Sequence, residues 1–131
     1  MTLEERYDSI EGHGSLLTLF ASPSAGLAPN AIGDALKKFI DQPKPYVGLI
    51  VSIEDEAYRF TSIDIGAVVM ACVDHEKRRS VPCVLVDSGK RRRELERVLK
   101  ITKLEWMIRI LETESQARDA IQGQLDGGEA V

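Results

Sequence analysis

Along the chain, short apolar runs alternate with longer segments whose apolar residues recur every three or four positions. Residues 46–53, Tyr-Val-Gly-Leu-Ile-Val-Ser-Ile, are apolar and β-branched and follow Pro43 and Pro45. Such a run predicts a strand buried on both faces. Residues 60–73 then place two hydroxyls and a carboxylate, Thr61, Ser62 and Asp64, just before a nearly uninterrupted apolar run. This predicts the mouth of a strand-to-helix junction, where free backbone N–H groups and a positive dipole end gather.

The remaining pattern predicts an opening hairpin turning at Glu11-Gly12-His13-Gly14, its second strand over 15–21, and a loop through Pro23 and Pro29. Asn30 is placed to cap a helix with Ile32, Leu36, Phe39 and Ile40 inward, ending before Pro43. The central helix is expected to run on to Asp74-His75-Glu76-Lys77-Arg78-Arg79, where basic residues suit its negative end. A second buried strand covers 83–87 and turns at Ser88-Gly89. The next helix turns Leu95, Val98, Leu99 and Ile101 inward and Lys90, Arg91, Arg92, Arg93, Glu94 and Glu96 outward. Thr102-Lys103-Leu104-Glu105 and Thr113-Glu114-Ser115-Gln116 both have capping-box spacing, before an extended segment 106–111 and a last helix burying Ala117, Ala120, Ile121 and Leu125.

Strands alternating with helices define an α/β fold: one open, mixed, mostly parallel sheet with helices packed on it and an N-terminal strand or hairpin. The length of 131 residues suits one domain. Residues 1–12 and 126–131 are expected as flexible ends.

A formal net charge of −4 gives no reason to expect nucleic-acid binding. No apolar run is long enough to cross a bilayer, and the first residues lack a signal-peptide pattern, so the expected location is the cytoplasm, without membrane insertion. Cys72 and Cys83 read as small buried hydrophobes of a reducing compartment; with His75 they match no common zinc spacing, and no metal or cofactor is expected.

Among the candidate chemical groups, Thr61-Ser62-Ile63-Asp64 reads as a capping-box variant, with Thr61 accepting from the Asp64 N–H and Asp64 reaching back. The run Lys90-Arg91-Arg92-Arg93 reads as a solvated helix face, with a phosphate-binding patch as the alternative. Ser88-Gly89-Lys90 is too short for a phosphate-binding P-loop. Trp106 reads as a core or rim residue. No nucleophile and base constellation is recognisable, so no catalytic residue is assigned.

The order of elements, with several local strings, resembles the STAS domain family of anti-sigma factor antagonists and their relatives. Residues 60–68 lie without a gap over the family's apolar-Asp-Ser-Ser-Gly-Leu-Gly-Val-Leu junction. Val84-Leu85-Val86-Asp87-Ser88 is similar to its next strand and turn. Ile101-Thr102-Lys103-Leu104-Glu105 is similar to its Leu-Thr-Gly-Leu-Asp helix end, and residues 110–117 resemble its last strand and Glu-rich helix start. The resemblance covers residues 15–122.

The resemblance implies a protein-interaction module without catalysis of its own. In the family's antagonists a junction serine is phosphorylated by a kinase-type anti-sigma factor, and the unmodified form binds that partner; Ser62 falls on this serine, with Thr61 as a second phosphoacceptor candidate. Docking is expected around Thr61, Ser62, Ile63, Asp64, Ser88 and Gly89, and a homodimer is possible. This chain has Thr61 where the family has Asp, Ile63 where it has a second hydroxyl, and Asp64 where it has Gly. A carboxylate two residues from Ser62 is expected to repel a phosphate there. Alternatives are a subunit of a phospholipid-transporter or sensory complex, or a small protein binding a phosphorylated ligand.

Overall fold

The structure, a computed structural model, describes residues 3–41, 46–74, 79–87, 89 and 91–127. Its elements in chain order are β1 (Glu4–Ile10), β2 (Gly14–Ala21), α1 (Ala31–Asp41), β3 (Gly48–Ile53), α2 (Ser62–Ala71), β4 (Val73–Asp74), β5 (Arg79–Ser80), β6 (Cys83–Val86), α3 (Arg91–Ile101), β7 (Ile108–Leu111) and α4 (Glu114–Asp126). One five-stranded sheet runs in the order β1-β2-β3-β6-β7. The last four strands are parallel and β1 pairs antiparallel with β2, giving the mixed, mostly parallel α/β sheet the pattern predicts.

Because each crossover steps to the next strand in the same direction, right-handed connections put α1, α2 and α3 on one face. Leu17, Leu19, Leu49, Val51 and Leu85 pack there against Ile32, Leu36, Val68, Leu95 and Leu99. The alternate residues Leu16, Ile50 and Val84 face α4, through Ala117 and Ile121. All six residues of β3 are buried, as a strand covered on both faces requires. At Gly48 a Cβ would lie 2.7 Å from Ile121 Cγ2, so α4 rests directly on the β3 backbone.

Several expectations change. Within the opening hairpin that the pattern predicts, Glu4–Ile10, also expected within a flexible end, is a full edge strand whose charged residues Glu4, Glu5, Arg6 and Asp8 protect it from further pairing. The central helix stops at Ala71. Beyond Val73 the sequence has no apolar stripe to bury, so the chain leaves as the β4–β5 ribbon, and Val81 N–H donates to the Cys72 carbonyl at 2.6 Å. His75, Lys77 and Arg78 lie outside the described residues, as do the side chains of Phe39 and Ile40. Trp106 is 70% exposed and Ile101 72% exposed. Ile101 sits two positions after Leu99, off the stripe set by Leu95, Val98 and Leu99.

Thr102 does not open a capping box. It closes α3, its hydroxyl donating to the Val98 carbonyl at 2.7 Å. Lys103 follows in the left-handed region, φ 59°, and Leu104 N–H returns to the Leu99 carbonyl at 2.8 Å. This is a Schellman end with lysine where glycine is favoured. Lys103→Gly is therefore expected to stabilise the protein by about 1 kcal/mol, since a Cβ in this conformation is strained. Urea unfolding checks it, and a lower midpoint would contradict the assignment.

Candidate functional site

The α2 mouth is organised by the Asp64 carboxylate, which is fully buried. Thr61 is the N-cap: its hydroxyl accepts from Asp64 N–H at 3.1 Å, and Asp64 Oδ2 accepts from Thr61 N–H at 3.0 Å. This is the capping box the sequence predicts, but its carboxylate does more. Oδ1 accepts from Gly33 N–H in the first turn of α1 at 2.8 Å, and Oδ2 also accepts from the Tyr58 hydroxyl. The positive ends of two helices thus converge on one acid.

The neighbours fit this arrangement. A Cβ at Gly33 would meet Ile63 Cγ2 at 2.9 Å, so glycine lets α1 approach close enough to donate. Asn30, φ 68°, does not cap α1 with its side chain; its Oδ1 accepts from the Thr61 hydroxyl at 2.5 Å. Burial, with the hydrogen bond to Asp64, pushes the Tyr58 hydroxyl well above the ordinary tyrosine range.

A second buried pair ties on the next helix mouth. Arg91, expected on a solvated face, is 6% exposed; its Nε donates to Asp87 Oδ2 at 2.7 Å. Its remaining nitrogens donate to the carbonyls of Ile53, Asp55 and Tyr58. Tyr58 is the joint between the two mouths, its carbonyl on Arg91 and its hydroxyl on Asp64. Nothing in the polar string around Tyr58 marked it or Arg91 as buried hubs; each is recruited by partners distant in sequence.

The residues expected to dock a partner therefore separate. Ser62 and Ile63 face outward, Ile63 57% exposed. Thr61 is half-buried in its cap. Asp64 is corrected: turned into the α1–α2 seam, it offers no contact surface, and both oxygens of its carboxylate are engaged by donors on the inner side. Gly89 is exposed, its N–H held by Asp87 Oδ1 at 2.8 Å, while Ser88 lies outside the described residues.

Beyond Ser62 the outer face of α2 continues through Gly66 and Met70, the latter 47% exposed, and carries no charged side chain. Nothing lies within 4 Å of a Cβ placed on Gly66. Cys72 and Cys83 are buried neighbours; the hydrogen bond the Cys83 thiol makes to Cys72, with burial, pushes that thiol up, away from reactivity. Among the described residues no helix is long and apolar enough to cross a membrane.

These features describe a single α/β domain with a five-stranded mixed sheet whose strand-to-helix mouths meet on one buried network. The fold is similar to that in the NMR structure of the protein TM1081, with a TM-score of 0.58 and 19% sequence identity over 88% of this chain and 86% of that one. At this identity the match establishes the fold. No family model matches the sequence, and no curated protein matches it.

Asp64→Asn replaces an acceptor with an amide facing N–H and O–H donors, and is expected to cost about 2–4 kcal/mol. Tyr58 adds a pH dependence. With its folded value raised, its contribution is complete below the ordinary tyrosine value of about 10 and falls as pH rises past it. Tyr58→Phe should flatten that alkaline decline in urea unfolding. An unchanged profile would show that the Tyr58 hydroxyl is not held protonated by its buried setting.

Proposed function

We propose that this chain is a STAS-type protein-interaction module, an anti-sigma factor antagonist of the cytoplasm that docks on a kinase-type anti-sigma factor through the first two turns of α2. Binding would free a sigma factor, and phosphorylation of Ser62 would end the complex. The observation that carries this reading is the outer face of α2. A helix apolar on all sides is normally buried on all sides, yet Ser62, Ile63, Gly66 and Met70 face solvent.

Three further features support it. Ser62 is the first residue of α2, where a phosphate meets the helix's positive end without disturbing the cap. Asp64, whose charge was expected to oppose that phosphate, points inward and is engaged by the Tyr58 hydroxyl and two backbone N–H groups. The left-handed backbone at Lys103 suits the glycine of the family's Leu-Thr-Gly-Leu-Asp string.

Incubation with ATP and the kinase-type anti-sigma factors of the source organism tests the proposal. Intact mass and site mapping should find one phosphate on Ser62, with loss of binding; Ser62→Ala should bind without being modified. Absence of both binding and phosphate beside an active kinase control would overturn it. Gly66→Ala adds a separate expectation. Glycine inside an exposed helix costs about 0.5–1 kcal/mol relative to alanine, so this variant should be more stable yet bind the partner more weakly. Unchanged affinity would place the docking surface elsewhere.

A further inference from the structure

The outer face of α3 carries a stripe of charge that the rest of the chain does not neutralise. Arg91, Leu95 and Leu99 turn inward, so Arg93, Arg97 and Lys100, spaced i, i+4 and i+7, share the opposite, solvent side. The two carboxylates of the helix are drawn to its flanks. Glu94 pairs with Arg59 at 3.4 Å and Glu96 with Arg92 at 3.3 Å. Arg93, Arg97, Lys100 and, past the helix end, Lys103 are exposed and form no ion pair among the described residues.

A second observation lies at the C-terminal end of that stripe. Ile101 and Trp106 are the two most exposed large apolar side chains among the described residues. Ile101 is the last residue of α3. Leu104 and Met107 pack on the core, and Met107 N–H returns to the Leu104 carbonyl at 2.9 Å, which leaves Trp106 on the outside of a closed turn. Glu105 is the single carboxylate between α3 and β7.

Cations left without counter-charges call for an anionic partner, and the shape and apolar tip of the face decide which kind. A single-stranded nucleic acid is held in a groove that tracks its backbone, and a peptide helix lies in an apolar groove. The outer side of a helix is convex and provides neither. A bilayer surface fits it: lipid phosphates meet the cations while an indole and an aliphatic side chain enter the headgroup level. We propose that α3 and the α3–β7 turn dock peripherally on an anionic phospholipid bilayer. This contact uses a different helix from the α2 docking face and does not rest on that reading.

Trp106 is the chain's only tryptophan, so its fluorescence reports the contact directly. Vesicles of equal parts phosphatidylglycerol and phosphatidylcholine at low salt should shift that emission to the blue and sediment with the protein; phosphatidylcholine vesicles alone should do neither. A cation near an anionic surface contributes about fivefold, so Arg97→Gln/Lys100→Gln should partition about 25-fold more weakly. Trp106→Ala, read by sedimentation, should lose about tenfold. Arg6→Gln/Arg118→Gln removes the same charge at the β1 edge, on the far side of the sheet, and should partition as the unaltered protein does. Thermal unfolding checks that each variant is folded. The proposal is overturned if neutral vesicles bind equally, if the emission does not move, if Arg97→Gln/Lys100→Gln binds as wild type, or if the Arg6 and Arg118 pair weakens binding as much. Equal binding of oligothymidylate or polyglutamate, lost in the same variants, would also overturn it, in favour of a polyanionic macromolecule.

Discussion

A carboxylate taken out of water must be met by donors or it destabilises the fold. Asp64 is met by two helix mouths and a tyrosine at once, and much of the upper part of the molecule follows from that requirement. Gly33 has to be glycine-sized to bring α1 in, Thr61 has to present its N–H, and Tyr58 has to turn inward from an otherwise polar loop. Hydrogen bonds to a charged group contribute about 1.5–3 kcal/mol each, so removing the acid would loosen α1, α2 and the β3–α2 loop together.

The same constraint separates buried from exposed side chains within four residues. Thr61 and Asp64 are spent on the cap and the seam, leaving Ser62 and Ile63 on the outside of a turn held rigid from beneath. A modifiable or docking residue benefits from such a mounting, because its position costs no further ordering when a partner arrives. Arg91 extends the rigidity sideways: its contact with the Tyr58 carbonyl at 3.0 Å couples the α3 mouth to the α2 mouth.

Much of this was legible in the sequence. The order of strands and helices, the buried run through β3 and the capping box at Thr61 follow from local patterns, because apolar period and cap chemistry act over a few residues. The length of the central helix was not legible, since the β4–β5 ribbon depends on pairing between Val73 and Ser80 that no local signal announces. Arg91 looked like one more residue of a basic run. Its burial is decided by carbonyls more than thirty residues away, at Ile53, Asp55 and Tyr58. Thr102 had the spacing of a cap that opens a helix and instead closes one, because the same hydroxyl can bond a carbonyl four residues back.

Native-state amide hydrogen exchange tests most directly whether the Asp64 carboxylate holds the two helix mouths together. The N–H groups of Gly33 and Thr61 belong to first turns that ordinarily fray. If the carboxylate holds them, they exchange as slowly as amides of β3 while Ser62 exchanges fast, and both lose protection together in Asp64→Ala. Fast exchange at Gly33 and Thr61 in the unaltered protein, or protection that survives Asp64→Ala, would contradict the account.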